Sequence, residues 1–190
     1  QQGDAVGLLT FDEEIREYLP ARHRTGHLRN LMLSLEKPAA GMATDLSAPL
    51  KRIAELVTKR GLLVLITDLL APTETLERNL IALTACRHEV VVFQTLDPAE
   101  LTFQFDKALM FHDVESGRDL FVDPKQVRKE YLRKLEAHNA AAQNVCQKLG
   151  IGCYRLGTDR PLELALFEFL RERMRRGKKL KRTGAPKAKA

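Results

Sequence analysis

Three short runs in this chain are apolar nearly from end to end: Ala5–Phe11 (AVGLLTF), Leu62–Ile66 (LLVLI) and Val90–Phe93 (VVVF). A strand with one wet face alternates polar and apolar residues. A strand without that alternation has both faces covered, as in a parallel sheet layered between helices. The intervening stretches have helical length and period. Leu46, Leu50, Ile53 and Val57 form one stripe, and Leu76, Leu80 and Leu83 another. Val127, Tyr131, Leu135, His138, Ala142, Val145 and Leu149 form a third. Strands alternating with helices imply right-handed crossovers and parallel order. The expected fold is α/β, a doubly wound and mostly parallel sheet, with Leu62–Ile66 at its centre because it is the most hydrophobic strand.

The remaining elements follow from local signals. Ile15–Leu19 alternates and meets Pro20, which predicts an antiparallel edge strand. Leu28, Leu31, Met32 and Leu35 predict a helix over Thr25–Lys37 with Thr25 as its N-cap. The loop Gly41–Asp45 feeds the next helix, with Pro49 in its first turn and Gly61 at its end. Thr73 is the expected cap of the helix that follows. Leu109–Asp113 and Asp119–Val122 flank Glu115–Arg118 and predict an inserted β-hairpin. Asp123 caps and Pro124 opens the clearest helix, which Gly150 closes. Ile151–Leu156 is the last strand, and Asp159 and Pro161 start a final helix. Residues 1–174 are expected to form one domain, and 175–190 a basic disordered tail.

The formal charge of +6 is unevenly spread. Residues 171–190 hold ten Lys or Arg and one Glu, whereas residues 1–170 hold 21 Lys or Arg and 24 Asp or Glu. The body is mildly acidic, so the basic pI says little about what it binds. The tail reads as a solubilising extension; contact with nucleic acid, an acidic membrane or a ribosome is the alternative. The absence of Trp and an aromatic content of 6% argue against a base-stacking surface. Cys86, Cys146 and Cys153 lack metal-ligand spacing and are expected as buried, reduced thiols, which points to the cytoplasm. No run approaches the ~18 apolar residues of a membrane span, and no signal peptide is visible.

In an open parallel sheet, ligands bind at the carboxyl ends of the strands. Asp68 directly follows Leu62–Ile66 and Thr67, and Thr44 lies in the Gly-containing loop before a helix. A carboxylate and a hydroxyl are hard oxygen donors suited to Mg²⁺ or Mn²⁺, though two such groups are too few to hold the ion. The plainer readings are an N-cap for Thr44 or Asp45 and a loop-amide acceptor for Asp68. His23 and His27 are four apart but lack the Glu of a zinc-protease helix. His112 sits at the hairpin without a nucleophile beside it, His88 falls before a strand, and His138 belongs to a helix stripe. No nucleophile elbow and no phosphate-binding Gly-rich loop is present. The chain is not expected to be an enzyme.

The segments GDAVGLLTFDEEI, GMATDLSAPL, GLLVLITDLL and HEVVVFQTLDPAEL, with the insertion MFHDVESGRDLFVDP, resemble a bacterial family of unknown function. Its members carry a von Willebrand A-like domain and are typically encoded beside MoxR-type AAA ATPases. The likeness runs from Gly3 to about Leu170. It implies a metal-ion-dependent adhesion site. That site has an Asp-x-Ser-x-Ser motif after the first strand, a Thr matching Thr44 and an Asp matching Asp68. The serines here are Ser34, Ser47 and Ser116, and none stands in that motif. The resemblance therefore implies that the first strand and helix lie upstream of Gln1 and that the metal site is incomplete in this chain. Membrane helices upstream are a further feature of some relatives.

Three functions stay open at this level. The leading one is a non-enzymatic interaction module, metal-dependent in the full-length protein, with a MoxR-type AAA ATPase or one of its clients as partner. The second is a metal-independent scaffold with a degenerate site. The third is a phospho-accepting receiver domain, suggested by Asp68 and the following Pro72. It lacks a Lys after Val90–Leu96, and it predicts an acetyl-phosphate adduct on Asp68. Without its first strand, the chain is expected to be poorly soluble or to pair Ala5–Phe11 with Leu62–Ile66.

Overall fold

A computed structural model of the chain describes residues 3–12, 14–38, 46–113 and 117–183, with backbone only over 176–183. Seven strands and six helices follow one another along them. The centre is a parallel sheet of β3 (Leu62–Thr67), β4 (Glu89–Leu96) and β7 (Gly152–Gly157), in the order β3-β4-β7. Val64 faces Val91, Leu65 faces Val92, and Phe93 faces Tyr154. Because side chains alternate across a strand, one face carries Leu65, Val90, Val92 and Cys153. On that face pack α2 (Ser47–Leu56), α3 (Thr73–Ala85) and α5 (Pro124–Lys148), closing a core around Leu50, Leu76, Leu80, Val145 and Cys146. The other face carries Phe93 and Tyr154. It meets Phe169 of α6 (Leu162–Thr183), with both ring centroids 5.6 Å away.

The mixed α/β class with a parallel sheet and helices on both faces is therefore present, but its strand arrangement differs from the expected one. Leu62–Ile66 is not central. Strand β4 is central, and β3 bonds only to it among the described residues. Leu62, Val64 and Ile66, on the face away from the core, are 39%, 46% and 64% exposed. The apolar run suits a strand covered on both faces, and the described residues cover one. Strand β1 (Val6–Phe11) joins neither β3 nor the parallel sheet. It pairs antiparallel with β2 (Ile15–Arg22) in a sheet of two. The expected pairing of Ala5–Phe11 with Leu62–Ile66 does not occur.

Strand β2 also runs past Pro20 rather than stopping there. Val6 faces Arg22 while Leu8 faces Leu19, so the pairing slips where Pro20 and Ala21 lie. A bulge of this kind accommodates a residue that has no N–H to give the ladder. Gly7 makes the close approach possible, since a Cβ there would stand 2.8 Å from the Leu19 carbonyl oxygen.

Helix α1 (His27–Leu35) begins later than expected. Its N-cap is Gly26, in the left-handed region at φ 81°, and Thr25 does not cap it. Leu31 and Ser34 are the buried positions, while Leu28, Met32 and Leu35 remain exposed. Helix α2 ends at Leu56, before Gly61, and α3 takes Pro72 rather than Thr73 as its N-cap.

The insertion follows a short helix, α4 (Pro98–Thr102), and consists of β5 (Leu109–His112) paired with β6 (Asp119–Val122), as the sequence predicts. Phe103, Phe105, Phe111 and Tyr131 form a ring cluster that docks this hairpin on α5. Asp123 caps α5, accepting the Lys125 amide at 3.1 Å, with Pro124 following. Asp123→Ala is expected to lower stability by about 1 kcal/mol, the usual cost of losing an N-cap acceptor, measured by urea unfolding. An unchanged midpoint would show the cap to be dispensable. The final helix continues to Thr183, past residue 175 where disorder is expected from the sequence. The Lys/Arg-rich stretch has no Pro before 186 and only Gly177 as a weak helix former, so it can propagate a helix already anchored on β7. Residues 184–190 lie outside the described residues.

Candidate functional site at the carboxyl edge of the sheet

The carboxyl ends of β3, β4 and β7 bring Asp68, Asp97 and Thr158 to one edge. Asp68 is exposed. Its Oδ1 accepts the Leu70 amide at 3.1 Å, a local turn that its short side chain can make without outside help. Leu69 beside it is fully buried and sits at φ 62°, a conformation that L-residues avoid. Two side chains from elsewhere hold this loop, and a third buttresses one of them. The Gln94 amide on β4 donates to the Asp68 carbonyl at 3.1 Å and to Asn139 Oδ1 on α5 at 2.7 Å. The His138 ring, also on α5, bonds the Leu69 carbonyl at 2.7 Å. Gln94 and Asn139 are both buried, so the bond between them is shielded from water. An exposed carboxylate thus stands on a backbone fixed from the core.

The structure missed by sequence reasoning is this brace. His138 is expected only as a core residue of the α5 stripe, and Gln94 passes as one polar residue at the end of an apolar strand. A buried Gln in line with an Asn 45 residues later carries no local pattern to read. Asp97 is committed locally. Its carboxylate accepts Ala99 N at 2.8 Å and Thr158 Oγ1 at 2.8 Å, and the Glu100 side chain completes the capping box. These donors, the Ala99 amide first, hold the Asp97 carboxyl below its ordinary range. The second sequence candidate, Thr44, lies outside the described residues, so its expected meeting with Asp68 does too.

Among the described residues, no group of three or more His, Cys, Asp or Glu comes together as a metal-holding cluster. Asp68 is a hard oxygen donor of the right chemistry at the right edge, but one carboxylate does not make up the shell of Mg²⁺ or Mn²⁺. The described donors by themselves do not fit a resident ion. The other candidates are spent elsewhere. His27 Nε2 bonds the Val6 carbonyl at 2.8 Å while His23 is exposed, so the two do not converge. His112 pairs with Asp119 at 2.7 Å across the hairpin, and His88 Nε2 bonds the Val57 carbonyl at 3.0 Å. Cys86 is exposed, contrary to the expectation that all three thiols are buried, whereas Cys146 is buried and Cys153 half-buried. No described helix is long and apolar enough to cross a membrane.

Uncharacterized proteins of Mycobacterium bovis and Mycobacterium tuberculosis are 29% identical over 179 residues, covering 91% of this chain and 55% of theirs. The chain therefore spans about half the length of these relatives. An uncharacterized protein of Mycobacterium avium is 27% identical over 156 residues, covering 81% of this chain and 90% of its own. Among solved structures, an aerotolerance-related membrane protein from Bacteroides fragilis aligns with a TM-score of 0.42 and 14% identity over 79% of this chain and 81% of its own. The family model described as protein of unknown function DUF58 matches residues 1–141, most of the chain including the Asp68 loop and its brace, and the chain belongs to that family.

Proposed function

We propose that this domain is a non-enzymatic protein-interaction module of the von Willebrand A type, acting in the cytoplasm and docking its partner at the edge that carries Asp68. The observation that supports this reading is the exposed Asp68 carboxylate on a loop braced by Gln94, Asn139 and His138. A fixed carboxylate at the carboxyl end of a parallel strand is placed for ligand contact rather than for packing. In the longer protein, Asp68 and Thr44, joined by an upstream Asp-x-Ser-x-Ser segment, would hold Mg²⁺ or Mn²⁺. The ion would supply an open coordination position for a partner's Asp or Glu. The partner by this reading is a MoxR-type AAA ATPase or one of its clients.

The test is binding of the natural full-length protein to that ATPase, with and without EDTA and in the Asp68→Ala and Thr44→Val forms. Expected are a loss of about tenfold or more on chelation and in either variant, from removal of a charge-assisted contact. The Asp68→Ala unfolding midpoint should stay within about 2 °C, because an exposed turn residue contributes little to stability. Binding that survives both EDTA and Asp68→Ala would overturn the module as proposed. Because Oδ1 of Asp68 already accepts the Leu70 amide, a metal-independent scaffold is the second reading. Its mark would be EDTA-resistant binding that still needs Asp68.

A further inference from the structure

Helix α6 has 22 residues, about 33 Å at 1.5 Å per residue. One side of it faces the sheet. Phe169 packs on Phe93 and Tyr154, Arg173 pairs with Glu89 at 3.0 Å, and Glu172 accepts the Tyr154 hydroxyl at 2.8 Å. At 100° per residue, Phe167, Leu170 and Met174 fall within an arc of about 60° centred roughly 135° from that side. They therefore point outward, and they are 65%, 53% and 65% exposed. Arg171 and Arg175 lie along one side of this stripe and are exposed as well. The helix then enters a segment in which residues 171–190 hold ten Lys or Arg and one Glu.

We propose that α6 is an interfacial helix that lays Phe167, Leu170 and Met174 into an anionic lipid surface. An outward apolar stripe beside a dense cationic stretch is the pattern of a helix lying in the plane of a bilayer. The basic residues are drawn to acidic headgroups and the apolar ones enter the acyl boundary. Glu163, Glu168 and Glu172 all lie in the first half of the helix, so attraction concentrates from Arg173 onward. The charge fits an acidic membrane and also a nucleic acid. The apolar stripe decides between them, because phosphate backbones offer nothing to bury Leu170 and Met174 against, and the single ring of Phe167 does not make a row of stacking surfaces for successive bases. This is contact along a surface and involves no membrane span. It uses a different part of the molecule from Asp68 and does not depend on the docking proposed there.

The experiment is flotation of the 190-residue chain with phosphatidylglycerol-containing vesicles and with pure phosphatidylcholine vesicles. Flotation, unlike sedimentation, is not mimicked by aggregates. Expected is binding to the anionic vesicles alone, weakened by added salt. Phe167→Ser with Leu170→Ser should reduce it about tenfold or more, as should Arg171→Glu with Arg175→Glu. All four positions are exposed, so unfolding midpoints should be unchanged and serve as the control for folding. Equal flotation on phosphatidylcholine, or binding unaffected by the Phe167 and Leu170 changes, would overturn the proposal. So would absence of flotation together with tight binding to a DNA or RNA oligonucleotide.

Discussion

Leu80→Ala should lower the stability of this chain by about 3–5 kcal/mol, the range for truncating a fully buried leucine whose site cannot collapse. Leu80 lies on α3 between α2 and α5 and has no exposed surface, in one cluster with Leu50, Leu76 and Val145. Helices on two sides and the sheet beneath prevent relaxation into the void. The whole domain is held by roughly 5–15 kcal/mol, so this one change removes a large share. Ile81, the next residue, is 48% exposed, and Ile81→Ala is expected to cost no more than about 1 kcal/mol. Urea unfolding of both variants gives the comparison. If they lose similar amounts, α3 is not seated as described.

Gln94→Leu is expected to cost roughly 2–4 kcal/mol, because it leaves the buried Asn139 Oδ1 and the part-buried Asp68 carbonyl without their donor. The effect should be local as well as global. Leu69 is held at φ 62° against an intrinsic preference of roughly 1–2 kcal/mol. With one brace removed, its backbone should relax, and hydrogen exchange at Leu70 should rise more than at the strand amides of β4. Adding Asn139→Leu should return part of the lost stability, since replacing both partners removes the unpaired oxygen of Asn139. A Gln94→Leu variant within about 0.5 kcal/mol of the parent would show that water satisfies these groups, and the brace would then not hold the Asp68 loop.

Much of the fold was legible because it is local. The stripe Leu76, Leu80, Leu83 predicts α3, and all three are buried. Asp123 and Pro124 predict the start of α5, and Asp123 caps it. The hairpin flanking Glu115–Arg118 falls where its turn residues place it. Misreadings arose where one residue type serves two ends. Thr25 has the chemistry of a cap, but Gly26 can take φ 81° and so ends up at the helix entry. Pro20 ends a ladder in the usual case, but a bulge opposite Gly7 lets β2 continue. Asp68 was legible at the carboxyl end of a strand from the apolar run that precedes it. Its supports were not, because Gln94, His138 and Asn139 meet only through the packing of α5 on the sheet.

The sequence by itself determined the alternation of strands and helices, the faces of α3 and α5, the hairpin, and the segregation of charge into a cationic end. These depend on periodicity, capping and composition within a dozen residues or so. Tertiary structure alone decided the strand order, with β4 rather than β3 in the middle, and the separation of β1 from the parallel sheet. It also decided which side of α6 is left outward and which buried amides hold the Asp68 loop. Hydrophobicity reports how much of a strand wants to be covered, but not by which neighbour. Strand pairing and polar contacts across 45 or 69 residues, as in Gln94–Asn139 and Leu69–His138, are fixed only when the chain closes on itself.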